Sequence, residues 1–242
     1  MCVSKVLHKI TNRGAKCAAV IVAAGKASRM EGTDKITAEL NGEPLILHTL
    51  RAFQNSEDIQ EIILVTREDL LDQLSELCVE KKITKLKKLC KGGETREESV
   101  QAGLDQISKQ CNYVAIHDGA RPLVTDQVIH DSVRKAAKFH AAAPAIPVKD
   151  TIKVVHGGVV ESTPERSGLY AVQTPQVFEL DIYRAALEKA ISEKAKVTDD
   201  CSVAERFGIN IVIVPGSEEN LKVTTPVDLV LAEAILKKRE VK

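Results

Sequence analysis

The clearest structural signal in the chain is Cys17-Ala-Ala-Val-Ile-Val-Ala-Ala24, which continues into Gly25-Lys-Ala-Ser-Arg-Met30. Its first part is a short apolar run, far below the roughly 20 residues of a membrane-spanning helix and suited to a strand buried on both faces. Basic residues precede this run, as they do in a signal peptide, but the run is short for that use. We therefore predict a buried strand that ends in a loop of small and basic residues.

Four further apolar runs of strand length follow, at 61–66, 113–117, 143–148 and 211–214. Segments with helical spacing separate them, and helix-start signals stand at Pro44, at Thr95 with Glu98 in a capping box, at Thr125 and at Thr225. Alternating strands and helices are typical of an α/β domain with its helices on both faces of the sheet. The prediction is a doubly wound α/β fold with a mostly parallel sheet.

One segment, 149–168, breaks this alternation. Its sequence Thr151-Ile-Lys-Val-Val, Gly157-Gly158 and Val159-Val160 is typical of a β-hairpin with a tight turn. The segment is too polar for the core, so we expect a projecting arm, which either serves a partner subunit or is a plain surface excursion. Residues 1–15 are predicted to be an N-terminal tail, and 16–242 a single domain.

The composition excludes several classes of protein. The 242 residues carry 34 basic and 34 acidic side chains, so no global field attracts nucleic acid or an anionic membrane. Aromatic residues make up only 3%, which argues against platforms that stack on bases. The six cysteines are scattered with no C-x-x-C pair, which excludes a zinc knuckle and a disulfide framework. We expect reduced, buried thiols and a cytoplasmic protein.

The loop after the first strand is the first candidate site, because ligands of open α/β sheets bind beyond the carboxyl ends of the strands. The loop matches neither the dinucleotide fingerprint nor the P-loop. Its small residues let the backbone approach a ligand, and Lys26, Arg29 and Lys35 suit a polyphosphate. A chance cluster of surface cations would give the same pattern.

A second candidate lies at His117-Asp-Gly-Ala-Arg-Pro122, where another strand ends. Asp118 suits a hard cation such as Mg²⁺, and Arg121 suits a phosphate. The alternative is a turn in which Asp118 pairs with Arg121. His117 is expected to be a hydrogen-bonded packing residue. The absence of a D-x-D sequence argues against a metal-dependent glycosyltransferase.

Seven sequence blocks occur in order between Cys17 and Leu236. They are Ala23-Ala-Gly…Arg29-Met…Lys35, Gly92-Gly-Glu-Thr-Arg-Glu-Glu-Ser99-Val, His117-Asp-Gly-Ala-Arg-Pro122, Pro147-Val-Lys-Asp-Thr151, Arg166-Ser-Gly-Leu-Tyr…Gln173-Thr-Pro-Gln-Val-Phe178, Thr198-Asp-Asp200 and Asn220-Leu-Lys-Val-Thr-Thr-Pro226. With these blocks the chain resembles the 2-C-methyl-D-erythritol 4-phosphate cytidylyltransferases of isoprenoid biosynthesis. The resemblance implies a Rossmann-like nucleotidyltransferase fold and transfer of CMP from CTP to the acceptor phosphate, with release of pyrophosphate.

The resemblance also implies roles for individual residues. The residues implied to be catalytic through their charge are Arg29, Lys35 and Lys222. The residues implied to bind CTP are Ala23, Ala24, Gly25, Gly92, Gly93, Glu94, Ser99 and Ala120. Acceptor binding falls on Asp118, Arg121, Thr151, Arg166 and Thr198, with Asp118 also implied to hold Mg²⁺ or another divalent cation. Thr151 and Arg166 are implied to reach across a homodimer formed through the 149–168 arm.

Two other functions fit the same sequence. A ribitol-5-phosphate cytidylyltransferase would share the fold and the loops, although the Arg166–Phe178 and Thr198–Asp200 blocks look closer to the methylerythritol phosphate group. A catalytically silent nucleotide-binding module is disfavoured, because the cations and Asp118 are present together. No Ser-His-Asp or Cys-His set is evident. None is needed, because a phosphate monoester with a second pKa of about 6 is already largely a dianion at neutral pH.

Overall fold

The computed structural model of the protein describes residues 14–25 and 34–240. Most of the predicted tail, and the loop residues Lys26 and Arg29, lie outside these described residues. The strands are β1 (Cys17–Val22), β2 (Glu39–Leu40), β3 (Glu43–Pro44), β4 (Ile59–Thr66), β5 (Leu86–Lys91), β6 (Tyr113–Asp118), β7 (Ala141–Pro147), β8 (Val154–His156), β9 (Val159–Ser162), β10 (Tyr170–Val172), β11 (Gln176–Glu179) and β12 (Val212–Pro215).

The α-helices of the described residues alternate with these strands for most of the chain. They are α1 (Leu45–Asn55), α2 (Leu71–Glu80), α3 (Arg96–Leu104), α4 (Asp126–Phe139), α5 (Leu180–Ser192), α6 (Asp200–Arg206) and α7 (Pro226–Glu240). Short 3₁₀ turns lie at Glu68–Leu70 and Arg166–Gly168. The predicted helix starts at Thr95, Thr125 and Thr225 are confirmed, and Pro44 precedes α1 rather than lying in its first turn.

An eight-stranded sheet forms the centre, in the order β10-β7-β11-β6-β1-β4-β5, with β12 also paired to β7. The pairs of β1 with β4 and β6, of β4 with β5 and of β12 with β7 are parallel. β11 runs antiparallel between β6 and β7, and β10 is antiparallel to β7. The predicted doubly wound, mostly parallel α/β fold is therefore confirmed.

Buried strands separate two layers of helices. Alternate residues of β1 point to opposite faces, so that Cys17, Ala19 and Ile21 belong to one core cluster and Ala18 and Val20 to the other. Helices α1, α2 and α4 cover the first face, and α3, α5 and α6 cover the second. This arrangement leaves the carboxyl ends of β1 and β6 uncovered at one edge of the layers, where a ligand can enter.

The cysteines of the described residues are free thiols. Cys17, Cys78, Cys111 and Cys201 are buried, and Cys90 is partly buried. Burial raises the thiol pKa of Cys78 to about 11, so this group stays protonated at neutral pH. The predicted burial is confirmed for four of these five cysteines.

The 149–168 segment contains a separate two-stranded antiparallel sheet, β8 with β9. Every residue of both strands is exposed, including Val155, Val159 and Val160. The turn residues Gly157 and Gly158 have φ of +56° and +82°, which glycine adopts without a steric penalty. The hairpin therefore lies outside the main sheet and presents apolar side chains to solvent.

Candidate active site

A cleft of about 690 Å³ opens at the carboxyl ends of β1 and β6. It is lined by most of the residues that the sequence selected: Ala23, Ala24, Gly25, Lys35, Gly93, Glu94, Ser99, Asp118, Ala120 and Lys222. These residues come from four separated parts of the chain. The fold brings them together because parallel strands deliver their following loops to one edge of the sheet.

Two loops of the cleft contact each other closely at Gly92. A Cβ atom at this position would lie 2.5 Å from the Ala24 Cβ and 2.7 Å from the Ser99 Oγ. Ala23 is itself fixed, because its N–H donates to the Val65 carbonyl over 2.7 Å. Gly92 therefore allows the first loop and the loop before α3 to approach, although it does not itself line the cleft.

The loop before α3 is built by its own hydrogen bonds. Thr95 caps the helix, with its Oγ1 accepting from the Glu98 N–H over 3.1 Å, and the Glu98 carboxylate accepts from the Thr95 N–H in return. The Ser99 hydroxyl accepts from the Gly93 N–H over 3.1 Å and donates to the Thr95 carbonyl over 2.9 Å. The predicted capping box is confirmed, and Ser99 helps to shape the loop.

Asp118 lies at the floor of the cleft among three cations. Its carboxylate is 2.8 Å from the Lys222 Nζ, 3.6 Å from the Arg121 Nε and 3.7 Å from the Arg96 Nη2. Burial alone would raise the pKa of this carboxyl, but the charges of Lys222, Arg96 and Arg121 outweigh it and hold the pKa well below its usual range. Asp118 therefore stays ionised, and it lies beside cationic side chains from three segments of the chain: Lys222, Arg96 and Arg121.

A buried histidine supports the Asp118 turn from behind. His117 is fully buried, and burial lowers its pKa to about 4, so the ring is neutral at pH 7. One consistent pattern has the Asp118 N–H donating to the Thr174 Oγ1 over 3.2 Å, the Thr174 hydroxyl donating to the His117 Nδ1 over 3.0 Å, and the His117 Nε2–H donating to the Arg121 carbonyl over 3.1 Å. The prediction that His117 is a hydrogen-bonded packing residue is confirmed.

Lys222 reaches the cleft because the segment before it is anchored. Asn220 is fully buried, and its Nδ2 donates to the Thr174 carbonyl over 2.9 Å. On the other side of Lys222, the Val223 N–H donates to the Ala120 carbonyl over 2.8 Å. These two anchors place the Lys222 ammonium beside Asp118.

Several predicted residues are not part of the cleft lining. The Arg121 Nη1 donates to the Asn220 carbonyl over 2.7 Å, so this guanidinium braces the segment before Lys222. Thr151 is exposed on the 149–168 segment, and the Arg166 Nη1 donates to the Lys149 carbonyl over 2.8 Å. Thr198 is exposed, and its N–H donates to the Ser202 Oγ over 2.9 Å. The single chain thus leaves Thr151, Arg166 and Thr198 outside the lining of this cleft.

Two further residues of the site, Arg96 and Asp200, are not among the residues predicted from the sequence, although both lie in the seven sequence blocks. Arg96 lines the cleft, and its Nη2 lies 2.6 Å from the Asp200 Oδ2. Asp200 is 1% exposed and also accepts from the Tyr183 hydroxyl over 2.7 Å. The signal that could have found the pair is an arginine beside a glycine-rich loop and an acidic pair at a helix start.

The donor set of the cleft fits one kind of metal binding. The described residues contain no cluster of three or more His, Cys, Asp or Glu side chains that could hold an ion by itself. Mg²⁺ at a nucleotide site commonly uses one or two carboxylates together with substrate phosphates. Asp118 supplies such a carboxylate at the cleft floor, so the residues present fit an ion that enters with the nucleotide.

Comparison with known proteins agrees with this geometry. Residues 17–238 match the model of the 2-C-methyl-D-erythritol 4-phosphate cytidylyltransferase family. The chain belongs to this family. The cytidylyltransferase of that name from Halalkalibacterium halodurans is 46% identical over 222 residues, which cover 91% of this chain and 97% of the relative. The relative of the same name from Caldanaerobacter subterraneus is 44% identical over 223 residues, covering 91% and 98% of the two chains.

Among solved structures, the 4-diphosphocytidyl-2C-methyl-D-erythritol synthase of Anaerococcus prevotii superposes with a TM-score of 0.83 at 31% identity. The match covers 95% of this cytidylyltransferase family member and 99% of the solved chain. Within residues 14–25 and 34–240, no helix is long and apolar enough to cross a bilayer.

Proposed function

We propose that the protein transfers CMP from CTP to 2-C-methyl-D-erythritol 4-phosphate in isoprenoid biosynthesis. The products are 4-diphosphocytidyl-2-C-methyl-D-erythritol and pyrophosphate. One observation carries the proposal: in a chain of this family, the small-residue loop 23–25, Lys35, Lys222 and Asp118 line one cleft. The family match does not favour ribitol 5-phosphate as the acceptor, and it argues against a silent nucleotide-binding module.

The reaction needs positioning and charge stabilisation more than proton transfer. An oxygen of the acceptor phosphate attacks the α-phosphorus of CTP, and the bond from that phosphorus to the β-phosphate oxygen breaks. The acceptor phosphate is largely a dianion at neutral pH, so no general base is required. His117 cannot serve as one in any case, because its ring is fully buried and both nitrogens are hydrogen-bonded.

The cleft supplies charge on two sides. Lys35 and the backbone of loop 23–25 support the proposal that the triphosphate lies along the first loop, with Arg29 as a further cation. Lys222, 2.8 Å from Asp118, is the proposed partner of the acceptor phosphate. In this arrangement the two lysines flank the attacked phosphorus and stabilise the charge that builds up during transfer.

Mg²⁺ or another divalent cation is the proposed cofactor, with Asp118 as its protein ligand. When bound, such an ion neutralises phosphate charge and thereby favours displacement of pyrophosphate. The protein's own contribution is to keep Asp118 ionised through its cationic neighbours.

A homodimer through the 149–168 arm is the proposed assembly. Its support is the exposed apolar surface of the hairpin, where Val159 is 70% exposed and Val160 is 54% exposed. Thr151 and Arg166 lie outside the cleft of their own chain, which is expected if they act in the partner's cleft. The proposed location is the cytoplasm, since free thiols suit a reducing compartment.

The function is tested by measuring pyrophosphate release with CTP, Mg²⁺ and a panel of acceptors. Methylerythritol phosphate should give turnover, whereas ribitol 5-phosphate should give a kcat/KM lower by about a hundredfold or more. Replacing CTP with ATP should abolish release. Equal turnover of ribitol 5-phosphate would contradict the proposed acceptor.

A further inference from the structure

Arg96 lines the cleft, but the proposed reaction gives it no role. It is the first residue of α3, directly after the capping Thr95, and so lies where the loop before α3 meets the helix. Its Nη2 lies 2.6 Å from the Asp200 Oδ2 and 3.7 Å from the Asp118 Oδ1. One nitrogen of Arg96 therefore lies between carboxylates that come from two other segments of the chain.

Asp200 is held in a fixed place. It is the first residue of α6, its side chain is buried, and its Oδ1 accepts from the Tyr183 hydroxyl over 2.7 Å. Tyr183 is itself fully buried on α5, where its ring stacks on Phe178 with centroids 4.4 Å apart. Because a buried carboxylate is costly without partners, Asp200 depends on Tyr183 and Arg96 together.

The charges around Arg96 restrain its side chain. Burial alone would lower the pKa of this guanidinium, but Asp200 and Asp118 outweigh burial and raise it above its usual range. Both contacts are made by the same Nη2 at the end of the planar guanidinium, so both depend on where this group lies. A lysine side chain is one bond shorter and lacks the planar group, so its ammonium cannot occupy the same place.

We propose that Arg96 is a positioning residue for CTP, held by Asp200 and Tyr183. Through its two contacts it sets the spacing between the start of α3 on one side of the cleft and Asp118 on the other. A nucleotide must touch both sides at once, so this spacing governs the KM for CTP more than kcat. The inference rests on the proposed function and adds residues to the same site.

The first test uses Tyr183→Phe, which removes one hydroxyl and keeps the stacked ring. The lost hydrogen bond is one to a charged group, but it acts on Arg96 only through Asp200. We therefore expect the KM for CTP to rise about three- to tenfold. The value of kcat should change less than about twofold if the hydroxyl acts only on ground-state positioning. Arg96→Lys should raise the KM for CTP about ten- to hundredfold, since this change removes the guanidinium that makes the contacts with Asp200 and Asp118.

Arg184→Lys is the matched control. Arg184 neighbours Tyr183 on α5, and it holds the other end of α3 through an Nη1–Asp105 Oδ1 ion pair of 3.0 Å and an Nη2–H donated to the Leu104 carbonyl. This pair is remote from the cleft lining, so the KM for CTP should not change. Melting temperatures of all variants separate a loss of folded protein from a change in binding.

The decisive measurement is the double variant. If Tyr183 acts through Asp200 on Arg96, then adding Tyr183→Phe to Arg96→Lys should raise the KM for CTP less than about twofold further. A further rise of about three- to tenfold in the double variant, an unchanged KM in either single variant of an active enzyme, or an equal rise in Arg184→Lys would overturn the inference. Should the wild type lack turnover, the proposed function fails, and calorimetric Kd values for CTP in the same variants decide the inference separately.

Discussion

Gly92→Ala tests the close approach of the two loops that form the nucleotide side of the cleft. The added Cβ would lie 2.5 Å from the Ala24 Cβ, whereas ordinary contact begins at 3.4 Å, so the atoms must separate by 0.9 Å (3.4 − 2.5). Neither the Ala24 methyl nor the alanine methyl can rotate away, and the backbone must move. A displacement near 1 Å at a reacting centre costs about a hundredfold in rate, which is the loss we expect in kcat/KM for CTP.

Gly103→Ala is the matched control for this substitution. Its added Cβ would lie 2.5 Å from the Val20 Cγ1, the same closest approach, but inside the core beneath α3. Each variant should lose about 1 to 3 kcal/mol of unfolding free energy, measured by chemical denaturation. Only Gly92→Ala should raise the KM for CTP. Equal kinetic losses in the two variants, or normal kinetics in a folded Gly92→Ala protein, would show that CTP binding does not depend on the close approach at Gly92.

Three further predictions concern charge, pH and assembly. Lys35→Ala should lower kcat about a hundredfold or more in a pyrophosphate-release assay while the circular dichroism spectrum is unchanged, and near-normal kcat would remove the first loop from the triphosphate site. Burial lowers the His117 pKa from 6.5 to about 4. As pH falls from 6.5 towards 4, the unfolded chain therefore binds a proton on this ring that the folded chain does not bind, and the folded state loses stability. Across that window the wild type should lose up to about 3 kcal/mol more unfolding free energy than His117→Gln, and parallel curves would contradict this. Arg166→Ala, if this residue serves the partner's cleft, should lower kcat/KM for the acceptor about ten- to hundredfold, and mixing it with Lys35→Ala should restore about a quarter of wild-type activity through heterodimers with one intact cleft. Full activity of Arg166→Ala, or no recovery despite proven subunit exchange, would exclude the shared site.

The parts of the fold that were predicted are those where one physical signal dominates. β1 was found because its residues are all apolar, as burial on both faces requires. β11 was missed because Gln176 and Glu179 are polar although both are buried. β5 carries Lys87, Lys88 and Lys91, which suit an exposed edge strand and hide the strand from a search for apolar runs.

The residues of the candidate site likewise fall into those that the sequence predicts and those that only the structure shows. Lys35 and Asp118 could be predicted because one follows β1 and the other ends β6, two strands whose carboxyl ends share one edge of the sheet. Sequence patterns can mark Arg96 and Asp200 as candidates but cannot show their contact, because the two residues lie 104 positions apart in the chain. Likewise, only the structure shows that Arg121 turns to the Asn220 carbonyl, since a sequence gives the charge of a side chain but not its direction.

In the proposed reaction, an oxygen of the acceptor phosphate attacks the α-phosphorus of CTP in this cleft. The direct measurement uses methylerythritol phosphate whose phosphate oxygens are labelled with ¹⁸O, with the products followed by ³¹P NMR and mass spectrometry. We expect one ¹⁸O in the bridge of the diphosphate product and none in the released pyrophosphate. Label in the pyrophosphate, an unlabelled bridge, or no diphosphate product from CTP and this acceptor would exclude this attack.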